Sequence, residues 1–169
     1  MRSIKYLLLS IVLFSFVQNT NFQIEEYQAK FIHGFTKFIE WPGLENQLAF
    51  KIGVLGKDHP IVPFLKRANL NKTVMGKPIS IVVFESVDEL TACHILFVPN
   101  RSIGFLRKAS QFLLGVPVLI VTEVELSMPT QSMINLSIEE EMFGFRLNQA
   151  KAEEAGLKLS QQLIERSRK

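Results

Sequence analysis

Cysteine is almost absent from this chain. The 169 residues include a single cysteine, Cys93, so the chain cannot form an internal disulfide. Cys93 begins a strongly apolar segment that runs to Val98, which is typical of a buried cysteine packing as a small hydrophobic side chain. A reactive thiol, or a bridge to another chain, is the alternative interpretation.

Excess charge is also small once the amino terminus is set apart. The chain has 19 lysine and arginine residues against 16 aspartate and glutamate residues, a formal net charge of +3. Arg2 and Lys5 are the only charged residues in the first 22, and without them the count is 17 against 16, a net charge of +1. The remainder therefore offers no basic surface for phosphate backbones, and we predict no binding to nucleic acid.

No apolar run is long enough for a membrane-spanning helix. The longest extends over the 12 residues from Tyr6 to Val17 and contains two serines, whereas a spanning helix needs about 20 residues. Basic residues precede it and polar residues follow it, a pattern that predicts a cleavable signal peptide over residues 1–22, cut between Val17 and Gln23. Residues 23–169 would then form a single exported domain. An uncleaved signal anchor is the alternative.

Motifs of catalysis and of cofactor binding are missing as well. The three histidines, His33, His59 and His94, have no metal-ligand spacing. The chain has no nucleophile elbow and no phosphate-binding loop, and its closely spaced glycines do not complete a dinucleotide-binding turn. We therefore predict a protein that is not an enzyme, with no catalytic, metal-binding or cofactor-binding residues. An enzyme would require Asp58, His59 or His94 to cluster.

The chain does contain an alternation of strand and helix patterns. Runs that are apolar on both faces are typical of a parallel sheet covered by helices. The pattern predicts an α/β fold of three layers, with a mostly parallel sheet flanked by helices. The predicted strands are Phe50–Leu55, Ile79–Phe84, Ile95–Val98 and Val116–Val121, and the predicted helical segments are residues 24–41, 60–70, 87–92 and 101–114.

The pattern changes after residue 130. Apolar residues alternate with polar ones over residues 134–138 and again over residues 143–147. This period of two predicts a C-terminal antiparallel hairpin with one buried face, placed at the sheet edge or folded over one end of the sheet.

The last segment has two apolar stripes on opposite sides of a continuous helix, and a single helix would expose one of them. A break resolves this conflict. We predict that Asn148 caps a short helix, that Gly156 ends it in the left-handed conformation, and that Ser160 caps a second helix after a short extended link.

Three aromatic residues are candidates for contact with a partner. Phe105 and Phe112 lie about 100–120° away from the inward stripe of the predicted helix 101–114. They either widen its buried face or form an exposed pair that docks a partner. Trp41 ends the aromatic stripe of the first predicted helix, which is either core or a binding surface.

An ordered set of short motifs runs through the chain. The segments that carry it are Ala29–Pro42 (with Trp41-Pro42 at its end), Ile52–Gly56, Lys72–Ile79, Cys93–Val98, Gly115–Leu119, Met133–Leu136, Phe145–Asn148 and Ala155–Ser160. Together they resemble the YfiR family of periplasmic proteins over residues 27–164.

The resemblance implies a role in signalling. It implies a periplasmic, non-enzymatic regulator that binds the periplasmic sensor domain of an inner-membrane diguanylate cyclase and restrains it. Release of that partner would raise cyclic di-GMP and favour biofilm formation. Redox control in the family uses disulfides, but Cys93 matches only one family cysteine, and its usual partner is missing here. A homodimer is left open. The alternative function is a periplasmic small-molecule-binding protein, with its pocket at the carboxyl ends of the strands.

Overall fold

The computed structural model describes residues 24–124, 127–139 and 142–167. The predicted signal peptide, residues 1–22, therefore lies outside the described residues. Within the part of the chain that is described, no helix is both long and apolar enough to cross a membrane.

Strands in the described residues form two sheets, one of seven strands and one of two. In chain order the strands are β1 (Ile39–Glu40), β2 (Phe50–Leu55), β3 (Thr73–Val74), β4 (Lys77–Phe84), β5 (Ile95–Val98), β6 (Leu119–Thr122), β7 (Ile134–Glu139), β8 (Met142–Leu147) and β9 (Lys158–Leu159).

The larger sheet has the order β3-β4-β2-β5-β6-β7-β8 and is mostly parallel. Its five inner strands pair in parallel, and the edge strands β3 and β8 pair antiparallel with β4 and β7. All four residues of β5 and all four of β6 are buried, which explains why both strands are apolar on both faces. The predicted hairpin is confirmed as β7 and β8 and extends one edge of the sheet.

Helices cover both faces of this sheet. The crossovers from β2 to β4 and from β5 to β6 proceed across the sheet in opposite directions, so right-handed connections place their helices on opposite faces. The predicted three-layer α/β fold is thereby confirmed. The helices are α1 (residues 24–35), α2 (Ile61–Asn69), α3 (Leu106–Phe112), α4 (Gln149–Glu154) and α5 (Gln161–Arg166), with 3-10 turns at Leu44–Asn46, Val87–Glu89 and Asn100–Phe105.

The first helix is shorter than predicted. It ends at residue 35, and residues 36–38 form tight turns before β1 begins. Strand β1 pairs antiparallel with β9, and the Ser160 N–H donates to the Phe38 carbonyl at 2.8 Å. The prediction of helix over residues 36–41 was wrong because this segment forms hydrogen bonds with a strand near the other end of the chain.

The predicted break in the C-terminal segment is confirmed in each of its parts. The Asn148 side chain accepts a hydrogen bond from Lys151 N at 3.1 Å, which caps α4. Gly156 follows α4 with a φ of 84°, a conformation that favours glycine. The Ser160 hydroxyl then accepts a hydrogen bond from Leu163 N at 3.3 Å and caps α5.

Further segments differ from the prediction. The predicted helical segment 87–92 is observed only as a 3-10 turn over Val87–Glu89. The predicted helix 101–114 begins as a 3-10 turn and becomes α-helical only at Leu106. The predicted strand Val116–Val121 is observed as Leu119–Thr122, because a turn with Gly115 at a φ of 77° occupies the residues before it.

Candidate functional site

Three polar side chains are brought together at the carboxyl ends of the parallel strands. Strands β2, β5 and β6 run in the same direction, so the residues that follow them lie at one edge of the sheet. His59 follows β2, Asn100 follows β5, and Glu123 follows β6. From β4 the chain crosses past β2 to β5, so the switch point of the sheet lies between β2 and β5. Ligands of open α/β sheets bind in the crevice at such a point.

Glu123 is the centre of this group. Its side chain is largely buried, with 17% of its surface exposed. One carboxylate oxygen accepts a hydrogen bond from Asn100 N at 2.8 Å, and the other accepts one from Gln28 Nε2 at 2.6 Å. Nε2 of His59 lies 3.8 Å from the first oxygen. Helix α1 and the loops after three strands therefore meet at one carboxylate.

Burial raises the pKa of Glu123 above its ordinary value. The hydrogen bonds from Asn100 and Gln28 and the positive charge of Arg101 oppose this rise, and the neighbouring Glu25 carboxylate reinforces it. These favourable interactions do not fully replace the solvation that the buried carboxylate loses.

His59 adds no positive charge next to Glu123 at neutral pH. Burial, reinforced by the charge of Arg101, lowers the pKa of His59 to about 4, so the imidazole is neutral at pH 7. Its Nδ1 accepts a hydrogen bond from Ile61 N at 3.2 Å at the start of α2. The Arg101 guanidinium itself donates to the Lys57 carbonyl. The approach of His59 to Glu123 is therefore not an ion pair at neutral pH.

The lowered pKa of His59 predicts a loss of stability in acid. The unfolded chain takes up a proton near the ordinary histidine pKa of about 6.5, whereas the folded chain does so only near 4. Between those values the unfolded state binds more protons, so the free energy of unfolding should fall by up to about 3 kcal/mol as the pH drops from about 7 to 4.

Urea unfolding of the wild type and of His59→Gln across this pH range tests the prediction. Burial also lowers the pKa of His33 and His94, so only part of the pH dependence belongs to His59. The variant should show the shallower loss. Identical pH profiles for the two proteins would contradict the assignment.

A pocket of about 330 Å³ opens beside Glu123, and we call it the strand-end pocket. Its polar lining residues are Gln28, Asn100, Glu123 and Ser137, and its apolar lining residues are Ile24, Leu136, Ile138 and Phe143. Gln28 and Ser137 are each only 7% exposed, and Oε1 of Gln28 and Oγ of Ser137 have no hydrogen-bond partner among the described residues. Such unpaired buried groups are uncommon in folded proteins.

The three residues named as candidates for an enzyme site, Asp58, His59 and His94, do not come together. His94 precedes β5 and His59 follows the neighbouring parallel strand β2, so the two lie at opposite ends of the sheet. Asp58 adopts a φ of 52° in the turn before α2. In the described part of the chain, no three histidine, cysteine, aspartate or glutamate side chains are grouped in a way that suits a metal ion.

Trp41 belongs to a buried cluster at the amino-terminal end of the sheet. It is 3% exposed, and its Nε1 donates to the His94 carbonyl at 2.8 Å. Its ring meets Phe50 edge-on at 4.8 Å, and Phe50 stacks on the His94 imidazole at 4.6 Å. The His94 ring in turn accepts a hydrogen bond from Lys51 N at 2.9 Å. Trp41 is therefore a core residue and not a surface contact in this conformation.

Cys93 is buried beside this cluster. Desolvation by burial raises the pKa of its thiol to about 12, so the thiolate is not populated at neutral pH. A buried, protonated thiol fits the interpretation of Cys93 as a small hydrophobic side chain.

Phe105 and Phe112 occupy a different surface. Each is 57% exposed, and Leu114 beside them is 86% exposed. We call these three residues the aromatic patch. The inward side of the same segment, with Leu106, Ala109 and Leu113, is buried. The two phenylalanines therefore point away from the core, as the second of the two sequence interpretations requires.

Comparison with known proteins identifies a family. The model of the YfiR/HmsC-like family matches residues 25–168, which is most of the chain. The chain belongs to the YfiR/HmsC-like family. No protein of curated function matches it. The resemblance inferred from the ordered motifs is thereby confirmed.

In this YfiR/HmsC-like chain, the most recognisable motifs have structural roles. The Trp41-Pro42 and Cys93-His94 motifs meet in the cluster at the amino-terminal end of the sheet. The motif at residues 155–160 forms β9 and pairs with β1. These motifs therefore form the cluster at the amino-terminal ends of the parallel strands and the pairing of β1 with β9. The polar strand-end pocket lies at the carboxyl ends of the parallel strands.

Sequence reasoning missed Gln28, Glu123 and Ser137. They come from a helix, a loop and strand β7, so no spacing along the chain connects them. One signal was available, since Glu123 directly follows a strand that was predicted to be buried and parallel, where carboxyl-end side chains converge.

Proposed function

We propose that this protein is a periplasmic regulatory protein that binds and restrains a membrane-bound signalling partner of the diguanylate cyclase type. The observation that carries the proposal is the family match over residues 25–168. The exposed side chains of the aromatic patch support a role in binding.

The aromatic patch is the proposed contact surface. Phe105 and Phe112 are separated by seven residues, about two helical turns or ~10 Å. Exposed aromatic side chains of this kind, when they fill pockets on a partner, contribute much of the binding energy of an interface. Trp41 is not part of the proposed surface because it is buried.

The proposed mechanism is a shift in the partner's conformational equilibrium. A protein that binds the inactive state of a cyclase more tightly than the active state lowers its output in proportion to that difference in affinity. Release of the regulator restores synthesis of cyclic di-GMP. The partner in this scheme is an inner-membrane protein with a periplasmic sensor domain.

Deletion of the gene should raise cellular cyclic di-GMP, and complementation should test the surface. The double variant Phe105→Ala/Phe112→Ala should fail to restore the low level, because loss of about 2 kcal/mol at one such residue weakens binding about 30-fold. Cyclic di-GMP measured by mass spectrometry, with periplasmic protein abundance checked by immunoblot, is the readout.

Leu48→Ala is the matched control, since Leu48 is 95% exposed and lies outside the aromatic patch. It should complement like the wild type. Two results together would refute the proposed function: unchanged cyclic di-GMP in the deletion strain, and no membrane protein recovered with the tagged wild-type chain.

A further inference from the structure

Strand β4 has one side that is largely without a partner strand. Its inner side pairs with β2 over residues 79–84, whereas β3 covers its outer side only at Lys77 and Pro78. Among the described residues, no strand pairs with the outer side of β4 over residues 79–84, and we call this stretch the β4 edge. All of its residues except Phe84 are partly or largely exposed. The β4 edge is therefore accessible to another polypeptide strand.

The hydrogen bonds of β4 show which backbone groups point outward. The Phe84 carbonyl accepts a hydrogen bond from Gly56 N at 2.8 Å, on the β2 side. The Ile79 N–H donates at 3.4 Å to the carbonyl of the residue before β3, on the other side. Because the backbone groups of successive strand residues point to alternate sides, Ile81 and Val83 face outward with Ile79. In the described part of the chain, the N–H and C=O groups of Ile81 and Val83 have no strand partner.

The β4 edge lacks the charged residues and prolines that usually protect a free sheet edge from pairing. Its sequence, ISIVVF, is uncharged and rich in β-branched residues. Pro78 lies just before it, at a position that β3 already covers. Leu70 is 69% exposed and lines a groove of about 420 Å³ together with Ile79 and Ile81. Apolar side chains and free backbone groups are thus exposed along the same edge.

The charges at the two ends of the β4 edge are self-complementary in an antiparallel pairing. Lys66 and Lys72 lie at its amino-terminal end, and neither is in an ion pair with another described residue. Glu85 and Glu89 lie at its carboxyl end, where Lys57 approaches Glu85 to 3.7 Å. Two antiparallel copies place the acidic end of each edge against the basic end of the other, whereas parallel copies would place like charges together.

We propose that the protein forms a homodimer in which the β4 edges of two copies pair antiparallel about a two-fold axis through Val82. Ile81 of each copy then lies opposite Val83 of the other, and each such pair exchanges two backbone hydrogen bonds. An axis through Ile81 would instead set Val83 against Ile79, whose N–H already has an acceptor. This interface does not use the aromatic patch, so its failure leaves the proposed regulatory function untouched.

Sedimentation equilibrium of the purified protein over a concentration series tests the dimer. The wild type should associate reversibly to twice the mass of one chain. Ile81→Pro removes an outward N–H at an edge position, where proline spares the bonds within the sheet, and should weaken association by about tenfold or more. Val83→Lys adds a charge that opposes edge pairing and should have a similar effect. Far-UV circular dichroism checks that both variants fold.

Ile138→Lys is the matched control for Val83→Lys. Ile138 lies on β7, toward the other end of the sheet, and it is 47% exposed against 38% for Val83. This variant should associate like the wild type.

Disulfide cross-linking tests the register. In the dimer the two copies of Val82 face each other without hydrogen bonds, with Cα atoms about 4.5 Å apart and so within disulfide range. Val82→Cys should therefore form a covalent dimer on mild oxidation. Ser80→Cys is the control on the same strand, since its two copies are offset by four residues, about 13 Å, and should not cross-link. Cys93 is buried and does not compete.

Three outcomes would overturn the proposal. The first is a protein that stays monomeric at every concentration, as expected if the β4 edge receives a strand of a different protein or none. The second is a dimer that persists unchanged in folded Ile81→Pro and Val83→Lys. The third is cross-linking of Ser80→Cys but not of Val82→Cys.

Discussion

Replacing Trp41 with alanine should lower the free energy of unfolding by about 3–5 kcal/mol. Trp41 is 3% exposed, directly follows β1, and contacts Phe50 at the start of β2. Truncation would remove the edge-on contact with Phe50 and leave a cavity next to that ring, which is 0% exposed. It would also remove the hydrogen bond to the His94 carbonyl, although that oxygen keeps its bond from Leu119 N at 2.9 Å.

Urea unfolding of Trp41→Ala and Trp41→Phe separates packing from hydrogen bonding. Trp41→Phe keeps an aromatic ring and should cost clearly less than the alanine variant. Phe105→Ala is the matched exposed aromatic and should change the stability by no more than about 0.5 kcal/mol. A Trp41→Ala protein as stable as Phe105→Ala would show that the tryptophan is not a core residue.

Replacing Asn135 with alanine should destabilise the protein by about 3–5 kcal/mol. Asn135 is 0% exposed on β7, and its amide bridges two neighbouring segments. Its Oδ1 accepts hydrogen bonds from Thr122 Oγ1 at 2.7 Å and from Val124 N at 2.9 Å, and its Nδ2 donates to the Val124 carbonyl at 2.9 Å. Alanine would leave both backbone groups of Val124 without these bonds, and it would also remove the acceptor of the buried Thr122 hydroxyl.

Ser137→Ala on the same strand is the informative control. Its hydroxyl is also buried but has no partner among the described residues, so its removal should be neutral or slightly stabilising. Unfolding measured by circular dichroism for both variants tests the contrast. Equal losses would show that burial of a polar side chain, and not the bonds of Asn135, determines the effect.

Asn135 also connects stability to the strand-end pocket. By holding Val124 it fixes the chain immediately after Glu123, and so orients the carboxylate at the end of β6. The Thr122 hydroxyl beside it makes a further bond to Ser132 at 2.8 Å. The side chains of this buried polar network hold the chain next to the pocket but are not among the residues that line it.

Local chemistry made much of the fold predictable. The break between α4 and α5 followed from Asn148, Gly156 and Ser160, whose preferences act within a few residues. Strands β5 and β6 followed from apolar runs that are buried on both faces. In each case the information lies in the segment itself.

Interactions between distant segments were not predictable in the same way. The first helix was extended through residue 41 because its aromatic spacing fits a helix, but β9 provides hydrogen-bond partners that draw Ile39 and Glu40 into a strand. The strand-end pocket escaped notice for a related reason. Gln28, Glu123 and Ser137 become neighbours only after α1 and the sheet edge have come together.

The pairing of β1 with β9 has a consequence for how the chain is made. Ile39 and Leu159 are partners across 120 positions of sequence, so this sheet cannot form until nearly the whole polypeptide has been synthesised. Contacts of such long sequence separation are slow to form. In a nascent chain, β1 therefore lacks its pairing strand until translation is almost complete. Any product that terminates before residue 158 lacks β9 and cannot form this two-stranded sheet.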